Sequence, residues 1–561
     1  MSIQFQEIPA NNLVPIFATE FDNTLAAKPG PMPWKSLLIG QAVEAIGGST
    51  PEAEKKWRPK VDNTGKLVKV SSDDEADAMF GKGSQIALMA RAFRKNAKYM
   101  ELYCIALLDN AAETLSKAPD YSSSSTYAVG DVVKHENKPY VCSTEISTAE
   151  QWTAGHWTEI QSSASSKTLT LTGPASESGP LYLLIGGQAV TVTVIADDTA
   201  ATIAANIAAK VNSLTNLPVT ATVASNVVTL NAKCKGAAGN EISVFLNFND
   251  GEKTPAGVGI AEFGDGVDRV FLAGGAGDAE LGAGNVGNLI EGTWFKSVGI
   301  GKGDNTGTGN VVYIKDILDE RWKAVVQKDG VLYYGVSGNK TAAVTAGESR
   351  NSQLILIPGL PHTPTPPCET ATASMGAIAV IALNDPAVPL SNWPVKGIVA
   401  PKMEDRLGFD SNNDILRAGV AMLAAGDDGT VYLKRCVTTY KTNAMGASDT
   451  SYQQLEKVNT LSYLRYDWNN YLAGKYPHAK LADDGNEYGP GQVVMTPKLG
   501  KAEILIRYKF WMSKGLVQNY DEFKANVVVE RDPDDSTALN FLIPADLIDQ
   551  LLICKSKIQF K

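Results

Sequence analysis

The final segment of this 561-residue chain constrains its fold more than any other stretch. Residues 553–560 (ICKSKIQF) end in alternating apolar and polar side chains, with Ile558 and Phe560 on the same side. This period of two predicts a half-buried β-strand. A strand at the very end of a chain must pair with the edge of a sheet, either in its own molecule or in a neighbouring one.

The beginning of the chain poses the same problem. Residues 3–6 (IQFQ) also alternate, and Pro9 and Pro15 then prevent a regular continuation. Two strand-like arms at opposite ends of one chain suggest subunits that are joined by strand addition. The alternative is that both strands fold back onto their own domain, and the residues alone leave both possibilities open.

The segment before the C-terminal strand predicts a compact helical domain. Apolar residues recur every three or four positions between Leu455 and Tyr471, which places one stripe on a single helix face. A second helix is predicted over residues 501–514, a strand over 527–529, and a turn at 532–535 (DPDD).

Bulk composition limits the partners. The length predicts about three to five domains. The net charge of −10, without a basic run, argues against nucleic acid. Six scattered cysteines are typical of reduced thiols in a protein made in a cytoplasm. The start lacks a signal-peptide pattern, and the longest apolar run, residues 375–383, is about half of a membrane span. We therefore expect a soluble protein.

Several motifs imitate catalytic sites. Residues 282–287 (GAGNVG) satisfy the spelling of a dinucleotide-binding loop, but a loop precedes them where a strand is required. Residues 81–84 (GKGS) lack the spacing of a phosphate-binding loop. The four histidines have no metal-ligand spacing to one another or to a cysteine. The sequence therefore predicts no enzyme activity, no cofactor and no metal site.

Motifs spread in order over nearly the whole chain resemble the tail sheath proteins of Mu-like contractile phages. They include residues 8–15 (IPANNLVP), 37–41 (LLIGQ), 80–84 (FGKGS), 239–242 (GNEI), 385–390 (DPAVPL), 465–468 (RYDW), 494–498 (VMTPK) and 511–516 (WMSKGL). The resemblance implies an α/β and α+β multidomain protein. Its C-terminal α/β sheath domain would be completed by exchanged N- and C-terminal strands, and β-rich inserted domains would face outward.

The expected domains follow this family. They are an N-terminal linking arm (1–30), an α/β sheath core segment (31–118), a small inserted β module (119–162), an α+β outer domain (163–250), an α/β sheath domain (251–400), a C-terminal sheath domain (401–550) and a C-terminal linking strand (551–561).

The resemblance also implies a mechanical function. Sheath subunits of this family form hexameric rings around a tail tube and contract to drive the tube through the host envelope during genome ejection. The implied partners are other copies of the chain, the tube protein, and the baseplate and tail terminator proteins, in a virion assembled in the host cytoplasm. The expected linking side chains are Ile3, Phe5, Ile558 and Phe560. The sheath of a headless, phage-derived injection particle is an alternative.

About forty residues, 121–160, do not match the sheath family. Serine-rich stretches flank them, as in linkers. Their pattern resembles small chitin-binding modules, in which exposed aromatic rings stack on sugars, and it nominates Tyr140, Trp152 and Trp157 for host-surface glycan binding. The alternative is that these rings form the core of a tiny three-stranded domain. A glycan-binding adhesin built around this module is the rival function from another class.

Overall fold

The computed structural model describes residues 32–48, 50–264, 266–282, 286–303, 309–489 and 491–560. Two predicted linking residues, Ile3 and Phe5, lie outside these ranges. The described residues form two compact units, one of residues 34–458 and 551–560 and one of residues 32–33 and 459–550. No helix in the described part of the chain is long and apolar enough to cross a membrane.

The first segment, residues 34–118, supplies half of an α/β layer. Its elements are β1 (Lys35–Gln41), β2 (Leu67–Lys69), α1 (Asp73–Phe80), α2 (Gln85–Asn96), β3 (Glu101–Leu107) and α3 (Asn110–Lys117). Ser72 and Ser84 begin α1 and α2 because each side chain accepts a hydrogen bond from a first-turn amide. The sequence predicts an amphipathic helix over residues 73–96 that is broken near Gly81 and Gly83, and this break is confirmed.

The short segment after α3 is a three-stranded antiparallel sheet of β4 (Val132–His135), β5 (Lys138–Cys142) and β6 (Trp157–Glu159). Glu136 and Asn137 both have positive φ, which is the geometry of a tight two-residue hairpin turn. We call residues 119–160 the three-stranded module.

Residues 164–273 form a module with its own apolar core, the two-sheet module. Its elements are β7 (Ala164–Thr172), β8 (Gly179–Ile185), β9 (Gln188–Val194), α4 (Ala200–Ser213), β10 (Val219–Ala224), β11 (Val227–Lys235), β12 (Ser243–Leu246), β13 (Gly259–Ile260) and β14 (Arg269–Phe271). The antiparallel sheets have the orders β10-β11-β7-β13 and β14-β12-β8-β9. The predicted border at residue 250 is wrong, because β13 and β14 pair with β7 and β12.

Residues 279–458 complete the α/β layer. The elements are α5 (Val286–Ile290), β15 (Ser297–Ile300), α6 (Asn310–Trp322), β16 (Val331–Tyr333), α7 (Lys340–Glu348), β17 (Ile355–Leu356), β18 (Pro358–Gly359), α8 (Pro367–Asn384), β19 (Trp393–Val395), α9 (Phe409–Arg417), β20 (Ala421–Ala425) and β21 (Val431–Arg435). The pattern of residues 412–424 predicts a helix, and this prediction is wrong in its second half. Helix α9 ends at Arg417, because Gly419 has a φ of 86° and β20 follows.

Strand β1 is the centre of a six-stranded sheet of order β17-β16-β15-β1-β3-β2. It pairs in parallel with β15 and β3, and only β2 runs antiparallel. Leu37, Leu38 and Ile39 are fully buried, as expected for a parallel strand covered on both faces. A second sheet, β18-β20-β21-β19, spans residues 358–435, so the predicted border at 400/401 divides a sheet. We call residues 34–118 and 279–458 the parallel-sheet module.

The remaining elements are α10 (Leu455–Lys475), β22 (Lys480–Leu481), β23 (Val494–Met495), α11 (Pro497–Ser513), β24 (Val517–Gln518), α12 (Tyr520–Asn526), β25 (Val528–Arg531), β26 (Leu539–Leu542) and β27 (Asp546–Leu547). The predicted apolar stripe and second helix are confirmed as α10 and α11. Residues 553–560, for which a strand was predicted, have no regular secondary structure within the chain.

The break at Gly81 gives a first prediction. Gly81 has a φ of 91°, and a Cβ there would lie 2.2 Å from Cγ2 of Val43. We expect Gly81→Ala to lower the free energy of unfolding by about 1–3 kcal/mol, because it adds backbone strain and a clash. Thermal melting of the two proteins measures this effect. Gly474→Ala near the end of α10 is the control, since no atom lies within 4 Å of its Cβ position. Equal losses in both variants would contradict the account.

Candidate functional site

A buried ion pair joins the two long helices of residues 459–550. Arg507 on α11 donates from Nε to Oδ2 of Asp467 on α10 at 2.6 Å, and its Nη2 donates to Oδ1. The indole Nε1 of Trp511 donates to Oδ2 of the same carboxylate at 2.6 Å. All three side chains are buried. This bidentate geometry fixes the helices in register, because neither charge has another partner of this quality.

A second carboxylate, Glu503, lies one helical turn before Arg507 on α11. It accepts hydrogen bonds from the hydroxyls of Tyr471 and Tyr476 at 2.5 and 2.6 Å and from Nζ of Lys475 at 2.9 Å. Burial alone would raise the pKa of Glu503. The hydrogen bonds outweigh burial, so the pKa of this carboxyl lies below that of an ordinary glutamate. The end of α10 is therefore held to α11 by a satisfied polar cluster.

The hairpin of β25 and β26 packs on the first half of α11. Val529 pairs with Phe541, and the ring of Phe541 meets that of Trp468 edge to face with centroids 5.3 Å apart. A Cβ on Gly500 of α11 would lie 3.1 Å from Leu539 and Phe541. Glycine at this position therefore lets the helix backbone approach the hairpin closely.

Both outer edges of this hairpin are open. The sheet contains only β25 and β26. Among the described residues, no hydrogen bond is made to the backbone groups of these strands that point away from the pair. Side chains on the outer face are also unprotected, with Val528 45% and Leu542 63% exposed. An edge of this kind is a template for another strand.

The C-terminal tail, residues 551–560, presents the complementary feature. Leu551, Ile553, Ile558 and Phe560 are 81%, 64%, 88% and 94% exposed. Within the described residues the tail makes no hydrogen bond. Contiguous exposed apolar side chains mark interaction sites in folded proteins. The predicted linking residues Ile558 and Phe560 are therefore available to a partner.

The three aromatic residues proposed for glycan stacking lie together in the three-stranded module. Trp157 is buried, 6% exposed, and its ring stacks on that of Trp152 with centroids 5.2 Å apart. Trp152 and Tyr140 are half-buried, and their rings are 4.8 Å apart. The ring of His135 also stacks on that of Trp152, with centroids 3.9 Å apart. These contacts leave only Tyr140 and Trp152 with accessible ring surface.

Other chemistry is sparse. In the described ranges, no group of three or more His, Cys, Asp or Glu side chains is placed to hold a metal ion. Gly83 of the GKGS motif packs against the carbonyl of Leu217, since a Cβ there would lie 2.1 Å from that oxygen. The GAGNVG run lies partly outside the described residues.

Comparison with known proteins finds similarity to phage tail sheath proteins. The profile "Phage tail sheath C-terminal domain" matches residues 447–561. Along its full length the chain is 28% identical over 560 residues to the Mu-like prophage FluMu tail sheath protein of Haemophilus influenzae, which is also covered completely. The chain is therefore similar over its whole length to a Mu-like tail sheath protein and has a phage tail sheath C-terminal domain. It is thus a tail sheath protein of a phage or phage-like particle.

Two solved sheath tail proteins are also similar to this chain. The protein from Desulfitobacterium hafniense is 11% identical, with a TM-score of 0.42 over 95% of this chain and 100% of its own. The protein from Listeria innocua is 12% identical, with a TM-score of 0.40 over 93% of this chain and 97% of its own. Likenesses this distant add nothing to the assignment.

Sequence reasoning missed two features of this sheath protein's C-terminal domain. Asp467 lies beside the predicted apolar stripe, but nothing local names Arg507, 40 positions away, as its partner. The strand β26 was also missed, although Leu539 and Phe541 alternate with polar Asn540 directly after an acidic turn. This alternation, next to a predicted strand and turn, is the sequence pattern from which the hairpin could have been predicted.

The ion pair gives a second prediction. We expect Arg507→Met to destabilise residues 459–550 by about 3–5 kcal/mol, because the buried Asp467 carboxylate loses its counter-charge. Adding Asp467→Leu should recover part of this loss. Urea unfolding followed by tryptophan fluorescence measures both effects. Arg417→Met is the matched control, because Arg417 forms an ion pair with Asp414 but is 79% exposed. A loss at Arg507 no larger than the control's would refute the assigned role.

Proposed function

We propose that this sheath protein polymerises as hexameric rings around a tail tube and contracts to drive the tube through the host envelope during genome ejection. One observation carries the proposal. Residues 459–550 offer a hairpin with both edges open, and residues 551–560 form an apolar tail without a partner in the described chain. Within the described residues, each copy thus has an open strand edge and an unpaired apolar tail.

The dimensions fit exchange of the tail between copies. At about 3.3 Å per residue, a ten-residue tail spans about 33 Å, whereas a four-residue edge strand spans about 13 Å. The tail can therefore cover the edge of β25 or β26 and still cross the gap between two subunits. Ile558 and Phe560 lie on the same side of such a strand and can extend the apolar face that Phe541 begins.

The energetics favour two linking arms over one. In a continuous strand Ile558 and Phe560 lie on one side and Leu551 and Ile553 on the other, so one buried face contributes on the order of 3–6 kcal/mol. Association costs about 4–15 kcal/mol in lost translation, rotation and side-chain freedom. One tail therefore at best balances its own cost. A second arm at the N-terminal end, containing Ile3 and Phe5, would act at high effective concentration and make the polymer stable.

Main-chain ladders also suit contraction. Strand pairing persists while the flanking segments change direction, so that copies stay linked as they move. The shortened sleeve would bury more surface between rigid domains, and that burial would supply the driving energy. The partners of this function are the tube, baseplate and tail terminator proteins, in a particle assembled in the host cytoplasm. The sheath of a headless injection particle uses the same physics and is the alternative.

Substitution within the tail tests the linkage. We expect Ile558→Ser with Phe560→Ser to give folded chains that form no sleeves, because the apolar face of the added strand is lost. Negative-stain microscopy and sedimentation velocity detect the hollow cylinders. Gln559→Ser, on the opposite side of the strand, is the control and should assemble normally. Deletion of residues 1–10 should also leave folded monomers. Sleeves of normal length from the double serine variant would overturn the proposal.

Cysteine trapping separates exchange from folding back. Cys554 is an exposed thiol in the tail, whereas four of the other five cysteines are buried. One chain would carry Leu542→Cys on the edge of β26 together with Cys554→Ser, and the other would keep Cys554. Only a tail that crosses between copies can then form the disulfide. We expect a dimer band on non-reducing gels of mixed sleeves. Its absence, with an intramolecular disulfide in the single chain carrying both thiols, would show a tail that folds back.

A glycan-binding role for the three-stranded module is a separate proposal. Its support is the cluster of aromatic rings around Trp152, of which Tyr140 and Trp152 keep accessible faces. Retention of the protein on chitin beads tests it. Trp152→Ala should abolish retention, and Trp393→Ala, at a 41% exposed tryptophan elsewhere, should not. Retention that survives Trp152→Ala would exclude these rings.

A further inference from the structure

The seam between the two-sheet module and the start of α8 is closely packed. Gly83 abuts the carbonyl of Leu217, and a Cβ on Gly187 would lie 3.2 Å from Oγ1 of Thr365. The buried hydroxyl of Ser243 donates to the carbonyl of Pro364 at 3.1 Å. Such contacts between the two modules leave little room for solvent.

One carboxyl group nevertheless lies in this seam. Glu369 occupies the first turn of α8, and its Oε1 is shielded from solvent and has no hydrogen-bond partner. It lines a cavity of about 40 Å³, which Cys234 and Pro218 border from the two-sheet module and Gln85 from α2. The cavity has room for a water molecule but not for a second charged side chain.

Among the described residues, the charged groups that act on this carboxyl are Lys95 and Arg91 of α2, and Glu241 of the two-sheet module acts on the neighbouring thiol of Cys368. Burial raises the pKa of Glu369 to about 7, and Lys95 and Arg91 on α2 limit the rise. The adjacent thiols are uncharged at neutral pH, because burial raises the pKa of Cys234 to about 11 and that of Cys368 well above its usual value. The carboxylate of Glu369 is therefore attracted by the positive charges of Lys95 and Arg91 but forms no ion pair with them.

A lysine enters the same seam from the other side. Nζ of Lys233 on β11 donates to the carbonyls of Lys82 at 3.0 Å and Thr215 at 2.6 Å, and it lies 5.0 Å from the centre of the Trp57 ring. Among the described residues it forms no ion pair. Burial lowers the pKa of Lys233 to about 8. The nearby Cys234 and Asp77 raise this pKa slightly, whereas the positive charge of Lys82 lowers it further.

We infer that the seam is a separable joint, at which the two-sheet module detaches from the parallel-sheet module more readily near neutral pH than in acid or in alkali. Two charged side chains without direct counter-charges are held in one interface, and water solvates both when the interface opens. The ion pair of Arg269 with Asp405, with contacts of 3.0 and 3.1 Å, joins the same modules and can act as a tether.

The sign of the pH dependence follows from linkage. Glu369 binds its proton more tightly in the closed seam, so its contribution to closure is present in acid and is lost as the pH rises through about 7. Lys233 binds its proton less tightly in the closed seam, so its contribution is present in alkali and is lost as the pH falls through about 8. Between these values both side chains are charged and closure is weakest.

Hydrogen–deuterium exchange of the full chain tests the joint. Protection factors, which correct for intrinsic exchange rates, would be measured from pH 5.5 to 9.5 for peptides over residues 214–235 and 366–372. We expect a minimum between pH 7 and 8, about tenfold below the acid value, since one unit of pKa difference corresponds to a tenfold change. Peptides from α10 and α11 serve as the internal reference and should not show this minimum.

Two variants assign the effect. Glu369→Gln should remove the acid limb of the profile and Lys233→Met the alkaline limb, whereas Glu404→Gln at an exposed site should leave both. A wild-type profile without a minimum would overturn the inference even if a variant fails to fold. A minimum that persists in both folded variants would also overturn it. The inference does not depend on polymerisation, because monomers and sleeves can be measured separately.

Discussion

Hairpin β25–β26 has backbone edges without a partner among the described residues, and this is the constraint on which the rest of the structure depends. Peptide N–H and C=O groups require hydrogen bonds, and in most sheets neighbouring strands supply them. Hairpin β25–β26 satisfies only its inner half, and two-stranded hairpins have little stability alone. This hairpin persists because α11 approaches it closely at Gly500 and because Phe541 packs on Trp468. The helices thus present an edge that is rigid and incomplete.

The buried polar groups of α10 and α11 explain how such an edge stays rigid. Residues 459–550 form a small unit, in which apolar burial alone gives limited stability. Asp467 and Glu503 each accept hydrogen bonds from two or more side chains on the two helices. Satisfied networks of this kind penalise every other helix register, because a shift would leave a charge buried and unpaired. The same penalty keeps the hairpin in a fixed position on α11.

Sequence patterns predicted the elements whose periodicity is strong and local. The stripe of α10 and the buried run of β1 belong to this class, because one face or both faces of each element are apolar. Predictions from sequence patterns failed where strand pairing between residues that are distant in sequence decides the structure. Ala421–Ala425 has helix-favouring residues but forms β20, because β18 and β21 hydrogen-bond to it on both sides. The short strands β13 and β14 likewise carry little local signal and are fixed by β7 and β12.

The candidate site was predictable only in part, for the same reason. Alternation in residues 553–560 predicted a strand that needs an edge, but the open edge of the structure is created by residues about twenty positions earlier with the help of α11. Composition also cannot separate a ring that is exposed from one that is buried, as Trp152 and Trp157 show. The spacing of the two tryptophans suits either role. The structure shows that Trp157 is a core residue, because its side chain is buried whereas that of Trp152 is only half-buried.

The two kinds of joint in this chain respond to different forces. The proposed main-chain ladder between copies would depend on hydrogen bonds between peptide groups and on apolar burial, and neither of these involves a group that titrates between pH 5 and 9. The seam at Glu369 and Lys233 depends on the cost of desolvating two charges, which is sensitive to pH. If both proposals hold, protonation would change motion within a subunit while the links between subunits stay intact. A contracting sleeve, whose subunits would rearrange without separating, would need this division between permanent and adjustable contacts.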